Sequence, residues 1–188
     1  MQSDDRSGDE ASTAHAAITG YEELGPQRYR ERVGFFYDDL TIGDVFEHRP
    51  GRTITEMDNV LISMLGMNAA PLHIDAEYAQ RTRWGKPLVS SLVTLAVVGG
   101  MSTRSTSGFA VANLGVDHIR LSNPVFAGDT LYATSEIRSK RLSNSQPGHG
   151  IVTCRTVGTK STGEEVLSLE RTFLLPTREV GLPNQAGY

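Results

Sequence analysis

One cysteine and one tryptophan, Cys154 and Trp84, are all the chain holds of either residue. A lone cysteine excludes a disulfide within the chain and a cysteine-built zinc centre. It falls in the run Ile151-Val152-Thr153-Cys154, whose β-branched residues predict a strand. The thiol therefore reads as a small buried hydrophobe rather than a nucleophile. An excess of one charge sign is also missing. Lys and Arg number 18 against 22 Asp and Glu, a net charge of −4, with no basic stripe of the kind that binds nucleic acid. Short basic clusters at Arg81 and Arg83, and at Arg138, Lys140 and Arg141, fit a solvated surface, with a phosphate-bearing ligand as the alternative. The most apolar run, Leu88 to Val98, is polar at its centre and falls short of the roughly 20 residues that cross a bilayer. The polar, acidic N-terminus is unlike a secretory leader, so a cytoplasmic location is expected. No glycine-rich loop follows a predicted strand and no strand–helix alternation recurs, which excludes a doubly wound nucleotide-binding sheet.

What is present is an ordinary globular composition: 188 residues, 38% hydrophobic and 21% charged, enough for one domain with an adequate core. Residues 1–25 are rich in Ser, Asp, Glu, Gly and Ala and are expected to form a flexible acidic tail. Residues 26–181 make the domain, with order beginning near Tyr29, and residues 182–188 a short frayed end. Val45 to Thr55 reads as a strand after a Gly43-Asp44 turn. Thr55 with Asp58 predicts a capping box opening a short helix that ends near Gly66. Asp75 caps a second helical turn through Tyr78 and Ala79. Leu88 to Met101 is apolar on nearly every face and predicts a core helix that Gly99-Gly100 ends. Four alternating runs follow, Val111–Leu121, Thr130–Ser143, Gly150–Ser161 and Val166–Leu175, with turn signals at 144–150 and at Thr162-Gly163. This order predicts an α+β fold, a curved antiparallel sheet wrapped around one long buried helix.

The chemistry-bearing stretch is Asn68-Ala69-Ala70-Pro71-Leu72-His73-Ile74-Asp75. Pro71 stiffens the loop that presents His73, and imidazole is the side chain closest to neutrality in its proton affinity. Asn68, five residues earlier, is placed to face it. A hydrogen-bonding structural histidine fits the same residues. Asp75, Glu56 and Asp58 are better explained as helix-capping or first-turn acids than as catalysts. Arg120 fits a phosphate or carboxylate contact or, alternatively, a structural pair with Asp117 or Asp129.

Taken in order, five segments resemble the MaoC-like family of (R)-specific enoyl-CoA hydratases and dehydratases. They are Phe36-Tyr37-Asp38-Asp39-Leu40-Thr41-Ile42-Gly43-Asp44; Thr53-Ile54-Thr55-Glu56 with Asp58; Pro71-Leu72-His73-Ile74-Asp75 with Tyr78-Ala79; Gly85-Lys86-Pro87-Leu88-Val89; and Arg120-Leu121 with Pro124-Val125 and Gly128-Asp129-Thr130-Leu131. Together they span residues 35–175. The resemblance implies a hotdog fold, a homodimer or larger homo-oligomer with the active site between subunits, an acyl thioester substrate, and no metal or redox cofactor. The family's catalytic pattern is Asp-x-Asn-Pro-x-His; Pro71 and His73 match it, whereas Asn68 replaces the acid and Ala70 the asparagine. An amide cannot exchange a proton at neutral pH. This variant of the loop resembles the branch acting on branched dicarboxylic acyl-CoAs such as mesaconyl-CoA or itaconyl-CoA.

The resemblance implies reversible hydration of a 2-enoyl-CoA thioester. His73 would serve as general base, Asn68 would hold the water, and backbone N–H groups near Ser90 and Ser91 would polarise the thioester carbonyl, with Pro71 and Arg120 as further binding residues. Alternatives are a dehydratase acting on an acyl-carrier-protein thioester or a specialised-metabolism intermediate, and a non-catalytic hotdog binding subunit. A thioesterase is disfavoured because Ser90, Ser91 and Thr94 supply no acid.

Overall fold

Period-two patterning governs the second half of the chain. In β5 (Thr130–Leu142) every second residue from Leu131 to Ile137 is buried, and in β6 (His149–Lys160) every second one from Gly150 to Gly158. The opposite face of each is only partly covered, so both strands present one face to a core. The computed structural model describes residues 20–181 and 185–186. The chain divides into two units, Met1–Arg32 and Val33–Tyr188. In the first, β1 (Tyr21–Gly25) and β2 (Arg28–Glu31) form an antiparallel hairpin with Glu22 opposite Arg30. The flexible tail expected through residue 25 is thus structured from Tyr21 onward; cross-strand charge pairing there stands in for apolar content. Residues 1–19 lie outside the described residues, as does most of the 182–188 segment expected to fray, although Gln185 N–H donates to the Gly181 carbonyl at 2.9 Å.

In the second unit the order is β3 (Val45–Thr53), α1 (Glu56–Leu65), α2 (Pro71–Ile74), α3 (Ala76–Gln80), α4 (Ser91–Thr106), β4 (Ala112–Leu121), β5, β6 and β7 (Glu165–Pro176). The strands form one antiparallel sheet in the order β3-β5-β6-β7-β4, leaving β3 and β4 as edges. Pro50 sits at a register shift in edge strand β3, where a missing N–H is tolerated. Helix α4 packs on the sheet. Its first half, through Val93 and Val98, closes a core with Ile54, Val125, Leu131 and Leu167. A second cluster of Leu40, Ile137, Val152, Cys154, Phe173 and Leu175 fills the other end. Helix and sheet approach closely at Gly158, since a Cβ there would lie 2.5 Å from Val98 Cγ2. Among the described residues no helix is long and apolar enough to cross a membrane.

Helix α4 begins at Ser91 rather than at the expected Leu88, and it differs from the sequence expectation in two further ways. It passes through Gly99-Gly100 and runs on to Thr106, and one side is open, with Leu92, Ala96 and Gly100 exposed. The extension is polar on its buried side. Ser102 Oγ donates to the Gly99 carbonyl (2.7 Å) and Thr106 Oγ1 to the Ser102 carbonyl (2.6 Å). Arg171 from β7 donates to both hydroxyls, at 2.9 and 3.0 Å. This tertiary anchoring outweighs the roughly 1 kcal/mol that each helical glycine costs.

His48 continues that polar layer. It is 4% exposed, with Nδ1 2.8 Å from Ser105 Oγ and Nε2 2.8 Å from Ser135 Oγ. Burial first, then the Arg171 and Arg49 guanidiniums, holds its imidazole below the ordinary histidine range. Burial likewise pushes the Cys154 thiol up, which keeps it protonated. Because the folded chain resists protonating His48 while the unfolded chain does so normally, stability should be complete above about pH 6.5 and fall as the pH drops through that value. Urea midpoints measured from neutral to mildly acid pH should show this decline, and His48→Gln should make it shallower than in the unaltered protein.

Candidate active site

The site begins with a cap. Asp58 N–H donates to Thr55 Oγ1 (3.2 Å) and Thr55 N–H to Asp58 Oδ2 (2.8 Å), the expected capping box. This sets the phase of α1 so that Asn59, 4% exposed, points inward. At the far end Met67 adopts a left-handed φ of 53° after Gly66, the helix C-cap. Met67 N–H donates to the Met64 carbonyl (3.1 Å) and Asn68 N–H to the Ser63 carbonyl (2.8 Å). This pair of reversed bonds is a Schellman closure, with a methionine where glycine is usual. Asn68 is therefore held by its backbone as well as its side chain.

Pro71 is not in an irregular loop, as the sequence suggests, but at the first position of the single helical turn α2. Its missing N–H has no helical partner to lose there. His73 lies on this turn, half-buried. Its Nδ1 is 2.7 Å from the Leu88 carbonyl oxygen. A carbonyl only accepts, so Nδ1 carries the proton and donates, and Nε2 of the neutral ring has a free lone pair. The turn is fastened a second time by Leu88 N–H, which donates to the Leu72 carbonyl (3.1 Å).

Asn59 joins these pieces. Its Nδ2 donates to the His73 carbonyl (2.8 Å) and the Leu88 carbonyl (3.3 Å), while its Oδ1 accepts from Ser90 N–H (2.8 Å). Ser90 caps α4, its Oγ accepting from Leu92 N–H (3.4 Å) and from Asn68 Nδ2 (3.3 Å). Asn68 Oδ1 in turn accepts from Ala70 N–H (3.3 Å). Asn68 and His73 are thus linked through Ser90 and Asn59 rather than by a direct bond.

Ser90 N–H, one of the two expected carbonyl-polarising donors, is committed to Asn59. The Ser91 N–H is the first-turn donor of α4 for which the described residues offer no partner, and Ser91 is exposed. Arg120 is not brought to this cluster. It lies exposed on edge strand β4 and forms no ion pair among the described residues; Asp129, offered as its partner, pairs instead with Lys160 at 3.3 Å. Asp75 caps α3 through Tyr78 N–H (3.0 Å), as expected. A cleft of about 260 Å³ is lined by Glu56, Asn59, His73, Lys86, Pro87 and Ala127, among others.

Asn59 is the residue that sequence reasoning missed. The available signal was an amide in a short helix immediately before the apolar run Val60-Leu61-Ile62 and just after the capping acid Asp58. Replacing Asn59 with Leu leaves the Ser90 N–H and the His73 carbonyl without these partners, at about 1–3 kcal/mol for each orphaned group, while the Leu88 carbonyl keeps the His73 Nδ1–H. Urea unfolding should register a loss of about 3 kcal/mol for Asn59→Leu. Asn59→Asp should not rescue it, because a carboxylate cannot donate to the His73 and Leu88 carbonyls.

Residues 39–159 match the family model of the MaoC-like domain. A mesaconyl-CoA hydratase of Cereibacter sphaeroides is 31% identical over 157 residues, covering 84% of this chain and 46% of that protein. The structure of a putative MaoC domain protein dehydratase from Chloroflexus aurantiacus superposes with a TM-score of 0.73 at 30% identity, over 77% of this chain and 41% of the other. A Mycobacterium tuberculosis protein with a double hotdog fold gives a TM-score of 0.71 at 28% identity, over 77% and 44%. The fold shared with these structures is the hotdog, and the chain spans about half the length of each of these three relatives.

Proposed function

The chain belongs to the MaoC-like domain family, and from that membership we propose that it adds water reversibly across the double bond of a 2-enoyl-CoA thioester. The observation that carries this reading is the Nδ1–H of His73 held by the Leu88 carbonyl at 2.7 Å, which leaves Nε2 as a base of fixed direction. Nε2 takes a proton from water, the oxygen adds to the β-carbon, and negative charge moves to the thioester oxygen. The imidazolium then returns the proton to the α-carbon. Ser91 N–H, at the positive end of α4, stabilises the oxyanion. Asn68 orients the water and carries no proton. Pro71 stiffens the turn on which His73 sits.

The acyl group we infer is a branched dicarboxylic one, supported by the name of the Cereibacter relative. For a partner we infer a second copy of the chain. Edge strand β4 leaves Leu114, Ile119 and Leu121 at 51%, 44% and 50% exposure, an apolar edge of the kind that invites strand pairing. A double hotdog contains two units where this chain supplies one. Arg120 belongs to that edge, so any part it takes in holding a substrate carboxylate runs through the paired subunit. A cytoplasmic location accords with the lone buried thiol.

Incubating the protein with short, branched and dicarboxylic 2-enoyl-CoA thioesters should bleach the conjugated-enoyl absorbance. His73→Ala should slow this by about a hundred-fold or more while ligand still binds; no turnover across the series would sink the reading. In sedimentation velocity the unaltered chain should run as a dimer at micromolar concentration, and Ile119→Lys should shift it toward monomer.

A further inference from the structure

Six cations lie over aromatic rings among the described residues. Four of them also hold a polar partner. Arg49 pairs with Glu47, Arg178 with Asp39, Lys140 donates to the Tyr37 and Leu40 carbonyls, and Arg171 to Ser102 and Thr106. Among the described residues Arg83 and Lys86 hold only their rings. The Arg83 Cζ is 4.3 Å from the Trp84 centroid and the Lys86 Nζ 4.4 Å from the Phe126 centroid, and the two rings are 6.0 Å apart. The four side chains form a ladder of cation, ring, ring and cation.

The ladder starts at the cleft that holds His73, since Lys86 and Ala127, the neighbour of Phe126, line its wall. It is built on fixed backbone. Trp84 N–H donates to Thr82 Oγ1 (3.2 Å), Gly85 turns with φ 67°, and Phe126 N–H donates to the Asp129 carboxylate (2.9 Å). Arg83 and Lys86 are both exposed. A guanidinium lying on a ring keeps its edge N–H groups available to phosphate oxygens, and indole and phenyl faces accept a purine.

We propose that Arg83, Trp84, Lys86 and Phe126 bind the phosphorylated adenosine end of a coenzyme A thioester whose acyl end lies in the His73 cleft. The proposal rests on the coenzyme A reading above and sharpens it. Two cations flanking two rings suit a compact nucleotide. An acidic carrier protein would require a broad basic face, and this chain has a net charge of −4.

The first test needs no turnover. Adenosine 3′,5′-bisphosphate is titrated into the full chain while the fluorescence of Trp84, its one tryptophan, is followed. Saturable quenching is expected, weakened about tenfold or more in Arg83→Gln/Lys86→Gln, an affinity change of the size that two lost charge-assisted contacts give. The charge-keeping pair Arg83→Lys/Lys86→Arg should retain most of the binding, which separates lost contacts from lost folding. Absence of quenching, or equal affinity in the Gln double variant, overturns the proposal. The second test compares kcat/KM for an enoyl-CoA with that for the same enoyl group on pantetheine. The double variant should lower that ratio about tenfold, and an unchanged ratio overturns the proposal while the hydration reading stands. Nucleotide binding without turnover of either thioester would instead remove the hydration reading and keep the nucleotide site.

Discussion

The geometry of the candidate site depends on one buried amide. Asn59 makes three hydrogen bonds to backbone groups that belong to separate segments: the α2 turn at His73, the extended stretch at Leu88, and the start of α4 at Ser90. The first two are too short to hold their own shape, α2 being a single turn, and the bond to Ser90 ties them to the start of the long helix. A hydrocarbon side chain would fill the same volume but leave the Ser90 N–H and the His73 carbonyl desolvated, at a cost that exceeds the few tenths of a kcal/mol asparagine loses in helix propensity. The order of cause is legible in the chain. Thr55 and Asp58 fix the start of α1, the start fixes its phase, the phase turns Asn59 inward, and Asn59 gathers the residues around His73.

Helix α4 divides the domain's physical work between its ends. Near Ser90 it rests on an apolar core of Val93, Val98 and Leu131, which makes the helix start rigid where the site needs a stationary donor. Near Thr106 it rests on hydroxyls, His48 and the Arg171 guanidinium. A cation placed at the last turn of a helix meets the negative end of its dipole, which offsets part of the desolvation of Arg171. The same cation disfavours a charge on His48, so this histidine is a structural ring that joins helix to sheet, whereas His73 sits half-exposed beside a cleft.

The sheet was legible because β5 and β6 alternate and their turns carry glycine, proline, asparagine or serine; the observed strand limits lie within one or two residues of those expected. The end of α4 was not legible. Gly99-Gly100 is a local stop signal, and what overrides it is Arg171, distant in sequence. The β1–β2 hairpin was missed because its pairing rests on cross-strand partners rather than apolar content. At the site, Pro71 and His73 announce themselves as a motif. Asn59 does not, because its meaning lies in partners up to 31 positions away. The commitment of Ser90 N–H was invisible for the same reason, and it moves the proposed oxyanion donor one residue along, to Ser91.

Asn68 in place of an acid makes the second partner of His73 decisive for the proposed chemistry. Here Nδ1 is oriented by the neutral Leu88 carbonyl. The ring keeps a fixed tautomer and direction. In the proposed reaction a single carrier takes a proton from water and delivers one to the α-carbon within the same turnover, which requires a ring of fixed direction. In the proposed hydration Asn68 is limited to orienting water, since an amide carries no proton, so both proton transfers of that proposal fall to His73.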